Sequence, residues 1–309
     1  MNELSTSERV VFNAVSLFLF IKYRFAKIEE QAPPIGSREV RKIRTSCGET
    51  RMIVYKPQKE KAQAPYPVLI NLHAGGFVQG QPEQDDVFMR ILADAVGCAV
   101  FNIDYKHAPK YKFPACLEEV YETIQWIIKN KNDLNIDPER IAIIGHSAGG
   151  NLSAAICMMA KERKEFKLVL QILNYPPLDI HKDPYLKTNV PTMKYAIPPK
   201  VAVIFNKSYL AKREDAQNPL VSPVYAIIKD LKGLPPALIF TAENDTLWEE
   251  GEQYANMLKK AGVNVLYKRF TGCAHEFSHN GPAVARKELW GTIAEGLKKA
   301  YKKRPVEKK

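Results

Sequence analysis

No pair of cysteines in this 309-residue chain has C-x-x-C spacing, and the five present (Cys47, Cys98, Cys116, Cys157 and Cys273) are an odd number. That excludes a thiolate zinc finger and argues against a disulfide framework, so a reducing, cytoplasmic compartment is expected. No internal repeat is visible. Apolar residues at 46% and charged residues at 26% exclude wholesale disorder, collagen-like chains and coiled coils. The longest apolar run, Val10 to Ile21, is interrupted by Asn13 and Ser16 and falls short of the roughly 20 residues that a bilayer demands. Two Glu and one Arg precede it, and Lys22-Tyr-Arg24 follows with no small-residue cleavage site. Neither a signal peptide nor stable membrane insertion is expected.

Acidic residues are in deficit, 34 against 45 Lys and Arg, for a net charge of +11. The surplus is densest at Lys298, Lys299, Lys302, Lys303, Arg304, Lys308 and Lys309, which reads as a solvated helix end and tail. No zinc-finger spacing or interleaved aromatic motif accompanies it, so nucleic acid is not an expected partner.

What is present is enough chain for one large domain. At 35.0 kDa, about three quarters of the unfolded surface can be buried. Ser5-x-x-Glu8 has the form of a capping box opening an amphipathic first helix, with Val11, Val15, Phe18 and Ile21 at helical spacing. Beyond the linker Ala32 to Gly36, eight runs read as strands: Arg38 to Arg44, Arg51 to Lys56, Pro67 to Leu72, Ala99 to Asp104, Arg140 to Gly145, Leu168 to Asn174, Ala237 to Thr241 and Val263 to Phe270. Helical spacing fills Glu83 to Val96, Leu117 to Asn130, Asn151 to Arg163, Trp248 to Ala261 and Ala283 to Tyr301. The first two strands lie too close for a crossover helix and should pair as a hairpin, the rest being mostly parallel. Leu178 to Pro223 contains six prolines and no strand pattern, longer than an ordinary loop and helical only around Lys200 to Ala211. It reads as an insertion over the carboxyl edge of the sheet, where ligand crevices form.

Gly145-His-Ser147-Ala-Gly149 stands between a strand and a helix. Composition alone yields such a G-x-S-x-G only about 0.03 times in a chain of this length. A sharp strand-to-helix turn excludes side chains at both glycines and raises the serine oxygen into the open. An unactivated serine is a poor nucleophile and needs a base held by an acid. His275 and Asp245 follow the last two strands, giving the order Ser147, Asp245, His275, with Asp179, Glu243 and Glu249 as rival acids. His73-Ala-Gly75-Gly76-Phe77 ends the third strand, and the amides of Gly75, Gly76 and Ala148 are the candidate oxyanion donors. His275-Glu-Phe-Ser-His279 is formally an HExxH zinc motif. Gly272 before it and Asn280-Gly-Pro282 after it leave barely two helical turns, so no metal site is expected.

Most of the chain from Pro67 to Tyr301 resembles the hormone-sensitive lipase group of α/β-hydrolases, which includes carboxylesterases and arylacetamide deacetylases. The resemblance rests on HAGGF at His73, DYKHAP at Asp104, FPACLEEV at Phe113, IDPERIAIIGHSAGGNLSAA at Ile136, NPLVSPV at Asn218, LPPALIFTAENDTLWEEGEQYA at Leu234 and GCAHEF at Gly272. It implies an α/β-hydrolase fold with an eight-stranded, mostly parallel sheet flanked by helices and a helical cap. The expected division is a cap segment at 1–36, a core at 37–177 and 224–309, and a cap insertion at 178–223. The resemblance further implies hydrolysis of short- to medium-chain carboxylic esters through an acyl-enzyme, without a cofactor. His73, Asp104 and Tyr105 would brace the oxyanion loop. Four departures stand out: Ala74 replaces a glycine, His146 an acidic residue, Glu276 a glycine, and Lys106-His107 the commoner Arg-Leu. His146 is not expected to act as base, because its side chain should point away from the serine oxygen. Alternatives are deacetylation of an acetylated small molecule or saccharide, and non-catalytic binding of a small ligand. The expected partner is a small-molecule ester; a homodimer is compatible with the sequence. Phe77, Val78, Tyr195, Ile204, Phe205 and Trp248 are candidate pocket walls.

Overall fold

A computed structural model describes residues 4–25, 32–60, 62–193 and 197–302, with backbone alone for 16–25. Tyr195, the side chains of Phe18 and Ile21, and the basic tail from Lys303 lie outside the described residues.

The helices are α1 (Thr6–Phe25), α2 (Asp86–Val96), α3 (Ala115–Lys129), α4 (Lys131–Leu134), α5 (Ala148–Arg163), α6 (Pro199–Tyr209), α7 (Ile228–Leu231), α8 (Trp248–Lys260), α9 (Phe277–Asn280) and α10 (Ala283–Tyr301). The strands are β1 (Ser37–Thr45), β2 (Gly48–Lys56), β3 (Tyr66–Leu72), β4 (Ala99–Asp104), β5 (Ile136–His146), β6 (Leu170–Asn174), β7 (Ala237–Asn244) and β8 (Val265–Ala274). They form one sheet in the order β1-β2-β4-β3-β5-β6-β7-β8. The expected hairpin of β1 and β2 is present, β2 also runs antiparallel to β4, and every later pairing is parallel.

Strand alternation sends successive side chains to opposite faces. Val68, Ile70, Ile141 and Ile143 pack with Leu117, Val120, Ile124, Leu152 and Leu258 of α3, α5 and α8. Leu69, Ala142 and Ile144 face Phe88, Leu92, Leu289, Ile293 and Leu297 of α2 and α10. The two apolar layers clamp the sheet, so its carboxyl edge is the rim where loops are free to carry chemistry.

The capping box forms as expected: the Ser5 amide donates to Glu8 Oε2 at 2.8 Å and the Glu8 amide to Ser5 Oγ at 3.3 Å. Val11 and Val15 are half-buried, and Glu8 accepts from Lys207 Nζ of α6 at 2.6 Å. The first helix therefore meets the helix of the insertion. That insertion is fastened in turn to the start of α8, where the buried Lys187 donates to Glu250 Oε2 at 2.5 Å and the Leu178 amide to Glu250 Oε1 at 2.8 Å. Burial pushes the Glu250 carboxyl up, to about 7, against the pull of Lys187.

Candidate active site

Strand β5 turns into α5 at Ser147, whose φ of 52° and ψ of −118° lie where non-glycine residues are rare. The strain follows from close approach. A Cβ on Gly149 would stand 2.1 Å from the Leu72 carbonyl oxygen, and one on Gly145 would stand 2.1 Å from the Gly149 oxygen. Only glycines let α5 start this near β3, and the sharpness of the turn lifts Ser147 out of the sheet.

Strands β7 and β8 run further than their apolar patterns indicated. A register shift between Ala242 and Asn244 lets the ladder continue until Asn244 pairs with Ala274. The next residues of the two strands are Asp245 and His275, so paired strand ends deliver acid and base side by side. His275 Nδ1 lies 2.7 Å from Asp245 Oδ2, and His275 Nε2 lies 2.9 Å from Ser147 Oγ. A carboxylate can only accept, so Nδ1 carries the proton and Nε2 is left to receive one from the serine. Asp245 is fully buried and takes the Leu247 amide on its other oxygen at 3.2 Å.

The rival acids are engaged elsewhere. Asp179 accepts from the Lys182 amide, Glu243 from the Gly272 amide, and Glu249 from Lys182 and Asn189. His146 is buried behind the elbow, where its Nδ1 accepts from Asn174 Nδ2 at 3.1 Å. Burial lowers its pKa to about 4. It is neutral near pH 7 and directed away from the serine oxygen. The two histidines of the HExxH sequence diverge, His275 toward Ser147 and His279 toward Asp85 at 2.8 Å. Among the described residues no cluster of three or more His, Cys, Asp or Glu could hold a metal ion.

The loop after β3 carries two of the three candidate donors. Gly75 and Gly76 have φ of 145° and 59°, and the Val78 and Gln79 amides close back on the Gly75 carbonyl at 3.1 and 3.2 Å. Ala148 opens α5, and the first amides of a helix have no partner within it. Among the described residues none of the three amides of Gly75, Gly76 and Ala148 donates a hydrogen bond. All three are free to receive developing negative charge.

Tyr105 braces this loop directly, its hydroxyl donating to the His73 carbonyl at 2.8 Å while its ring stacks on the His73 imidazole at 4.2 Å. Burial lowers the His73 pKa, and His73 Nδ1 donates to the Ala74 carbonyl at 2.8 Å, so this side chain fastens the loop as well. Asp104 differs from expectation. It takes Arg51 Nε at 2.7 Å, and Arg51 also grips Glu83, so Asp104 reaches the loop only through neighbours. The reason is its place at the end of β4, facing Arg51 across the antiparallel ladder to β2.

Among the candidate pocket walls, Phe77 is buried and stacks on Tyr209 at 3.9 Å, while Trp248 donates to the Asn189 carbonyl at 2.6 Å. Half-buried Phe205 touches the oxyanion loop: a Cβ on Gly76 would lie 2.2 Å from its Cδ2. Residue spacing could not single out Asp85 and Ser278, both fully buried beside the histidine turn. Asp85 sits inside a run read as plain helix.

A family model described as alpha/beta hydrolase fold matches residues 69–279. An arylesterase of Saccharolobus solfataricus is 32% identical over 287 residues, spanning 86% of this chain and 89% of its own. Carboxylesterase NlhH of Mycobacterium tuberculosis is 31% identical over 239 residues, 76% of this chain and 74% of its own. Among solved structures, a thermophilic and thermostable carboxylesterase cloned from a metagenomic library superposes with a TM-score of 0.83 at 31% identity, covering 97% of this chain and 100% of that one.

Proposed function

Since the chain belongs to the hormone-sensitive lipase family of α/β-hydrolases and is a carboxylic ester hydrolase, we propose that Ser147 is its acylated nucleophile, His275 the base and Asp245 the residue that orients and charge-balances that base. The observation that carries this is the continuous line from Asp245 through both nitrogens of His275 to Ser147 Oγ.

Ser147 Oγ attacks the ester carbonyl as its proton passes to His275 Nε2. The imidazolium is held by Asp245, and the tetrahedral oxyanion is received by the amides of Gly75, Gly76 and Ala148. Collapse breaks the carbon–oxygen bond of the alcohol, which leaves with the His275 proton. Water, activated by the same imidazole, then attacks the acyl-enzyme and restores Ser147. No step calls for a cofactor.

The preferred substrates are small esters with short to medium acyl chains. Ser147 is only 6% exposed, and the ring of Phe205 narrows the space above Gly76. The five unpaired thiols suit a reducing, cytoplasmic setting. A deacetylase would use the same chemistry on an acetylated alcohol. A fluorophosphonate should leave one adduct on the intact protein, lost in Ser147→Ala, and a nitrophenyl ester should give a burst of nitrophenol. An equal adduct in Ser147→Ala would overturn the assignment of the nucleophile. No burst and no turnover with esters of any chain length would favour a ligand binder.

A further inference from the structure

Behind the site lies a second chain of hydrogen bonds that the acyl-transfer steps do not use. Asp85 is fully buried and receives His279 Nε2 at 2.8 Å and Asn71 Nδ2 at 2.7 Å. His279 Nδ1 faces Ser278 Oγ at 2.7 Å, and Ser278 Oγ meets the Tyr175 hydroxyl. The Tyr175 ring packs edge to face against His275, with centroids 4.9 Å apart. The acceptor-only carboxylate fixes the direction of the series. His279 Nε2–H donates to Asp85, Ser278 O–H to His279 Nδ1, and Tyr175 O–H to Ser278. Burial pushes the Asp85 carboxyl up, but the hydrogen bonds from His279 and Asn71 pull the other way and favour the carboxylate. The anchor is therefore a charged one. Serine, histidine and aspartate recur here, yet Ser278 is fully buried and cannot meet a substrate.

Asp85 and His279 come from the two segments whose spacing matters to the reaction. Asp85 ends the turn Pro82–Asp85, in which Gln84 Nε2 donates to the Ala74 carbonyl of the oxyanion loop at 3.3 Å. His279 lies in α9, four residues after His275, with Glu276 between them at a φ of 62° and the Ser278 carbonyl held by Trp290 Nε1 at 2.9 Å. We propose that His279, bonded to Asp85, is a positioning residue that fixes the His275 imidazole relative to the oxyanion loop. This rests on the esterase reading above. It follows from the cost of misplacement, since a displacement near 1 Å at the base costs about 100-fold in rate, and from a buried charge, which tolerates no partner but a well-placed donor.

The test is steady-state turnover of p-nitrophenyl acetate. For His279→Ala, kcat should fall about 10- to 100-fold with KM within about twofold, and fluorophosphonate labelling of Ser147 should slow in parallel. His279→Gln places an amide N–H near the former Nε2 and should keep Asp85 satisfied. His279→Asn offers an acceptor to Ser278 but leaves Asp85 without its donor. The Gln variant should therefore be the more active, even if the Ala variant does not fold. A folded His279→Ala with wild-type kcat, or Gln and Asn variants of equal activity, would overturn the positioning role while leaving the esterase reading intact. A wild-type protein without ester turnover would remove that reading and this inference with it.

Discussion

The aromatic ring of Phe205 on α6 stands against the backbone of Gly76, so closely that a Cβ on the glycine would lie 2.2 Å from Cδ2. Helix α6 thus meets the loop after β3 here and again where Tyr209 stacks on Phe77, and on the proposed reading the acyl group passes beside the Phe205 ring. Phe205→Ala should shift the preferred nitrophenyl ester toward longer acyl chains, read as kcat/KM across a series from acetate to decanoate. An unchanged profile would show that the ring is not a wall of the acyl site.

Gly76→Ala combines two faults, a side chain at a φ of 59° and a collision with Phe205. Displacing one oxyanion donor costs about 100- to 1,000-fold in kcat. Such a loss is expected here, with KM nearly constant. In the double variant Gly76→Ala, Phe205→Ala the collision is removed but the backbone conformation remains costly, so recovery should be partial. Full recovery would mean that sterics against the cap, and not the amide's direction, set the rate.

At the elbow the fault would be structural. The Cβ of Gly149→Ala meets the Leu72 carbonyl oxygen at 2.1 Å and the His73 oxygen at 2.6 Å, both backbone atoms that cannot rotate away. Overpacking of this kind costs about 1–3 kcal/mol or more, and it pushes α5 away from β3. Urea unfolding of Gly149→Ala should show a lowered midpoint at unchanged slope, together with esterase activity far below wild type. A wild-type midpoint would contradict the close approach.

Acid should weaken the fold through histidines buried neutral. Burial holds His146 at about 4 and His107 at about 3, each below the ordinary imidazole value of 6.5. Between those values and 6.5 the unfolded chain binds protons that the folded chain refuses, so stability falls as pH falls. The contribution is complete above about pH 6.5 and is lost as pH drops through about 4. Glu250, raised to about 7 by burial, acts in the opposite sense between 4.5 and 7, so the comparison must be made between variants. His146→Gln should flatten the dependence of Tm on pH between 4 and 6.5 relative to wild type. Parallel curves would show that His146 is not buried as a neutral group.

The proposed triad of Ser147, Asp245 and His275, which the structure brings within hydrogen-bond distance, was legible because such an arrangement depends on chain order and on strand ends, both of which survive in one dimension. The eight strands were legible for a similar reason, since seven carry a local apolar run and β1 intersperses Val40 and Ile43 with charged residues beside the hairpin turn. The antiparallel pairing of β2 with β4 was not, because it joins residues such as Arg51 and Asp104 through a choice of neighbour that no local pattern encodes. That pairing is also why Asp104 holds Arg51 rather than the oxyanion loop. Asp85 and His279, 194 positions apart, were illegible as a pair, and the histidine was visible only through a zinc-like spacing that pointed elsewhere. A buried acid within an apolar helical run is a weak signal until its partner is known.

The first helix gives the last test. Its capping box is formed, Val11 and Val15 are half-buried, and Glu8 meets Lys207 across the gap to α6, the helix that also carries Phe205. Removing residues 1–35 takes away a neighbour of α6 and, at the sheet, only Ile35 at the margin of the second apolar layer and the Pro33 carbonyl that receives Arg90. The truncated protein should therefore keep its circular dichroism and unfold cooperatively. With α6 less restrained, Phe205 no longer shields the space above Gly76 to the same degree, water gains access, and the oxyanion donors lose part of the advantage of a dry site. Turnover should drop and the preference for acyl length should broaden. Exposed ion pairs contribute about 0–1 kcal/mol, so Lys207→Ala alone should reproduce only a small part of the effect. Full activity with an unchanged chain-length profile in the truncated protein would show that α1 does not restrain the cap, and loss of the folded signal would show that it belongs to the core.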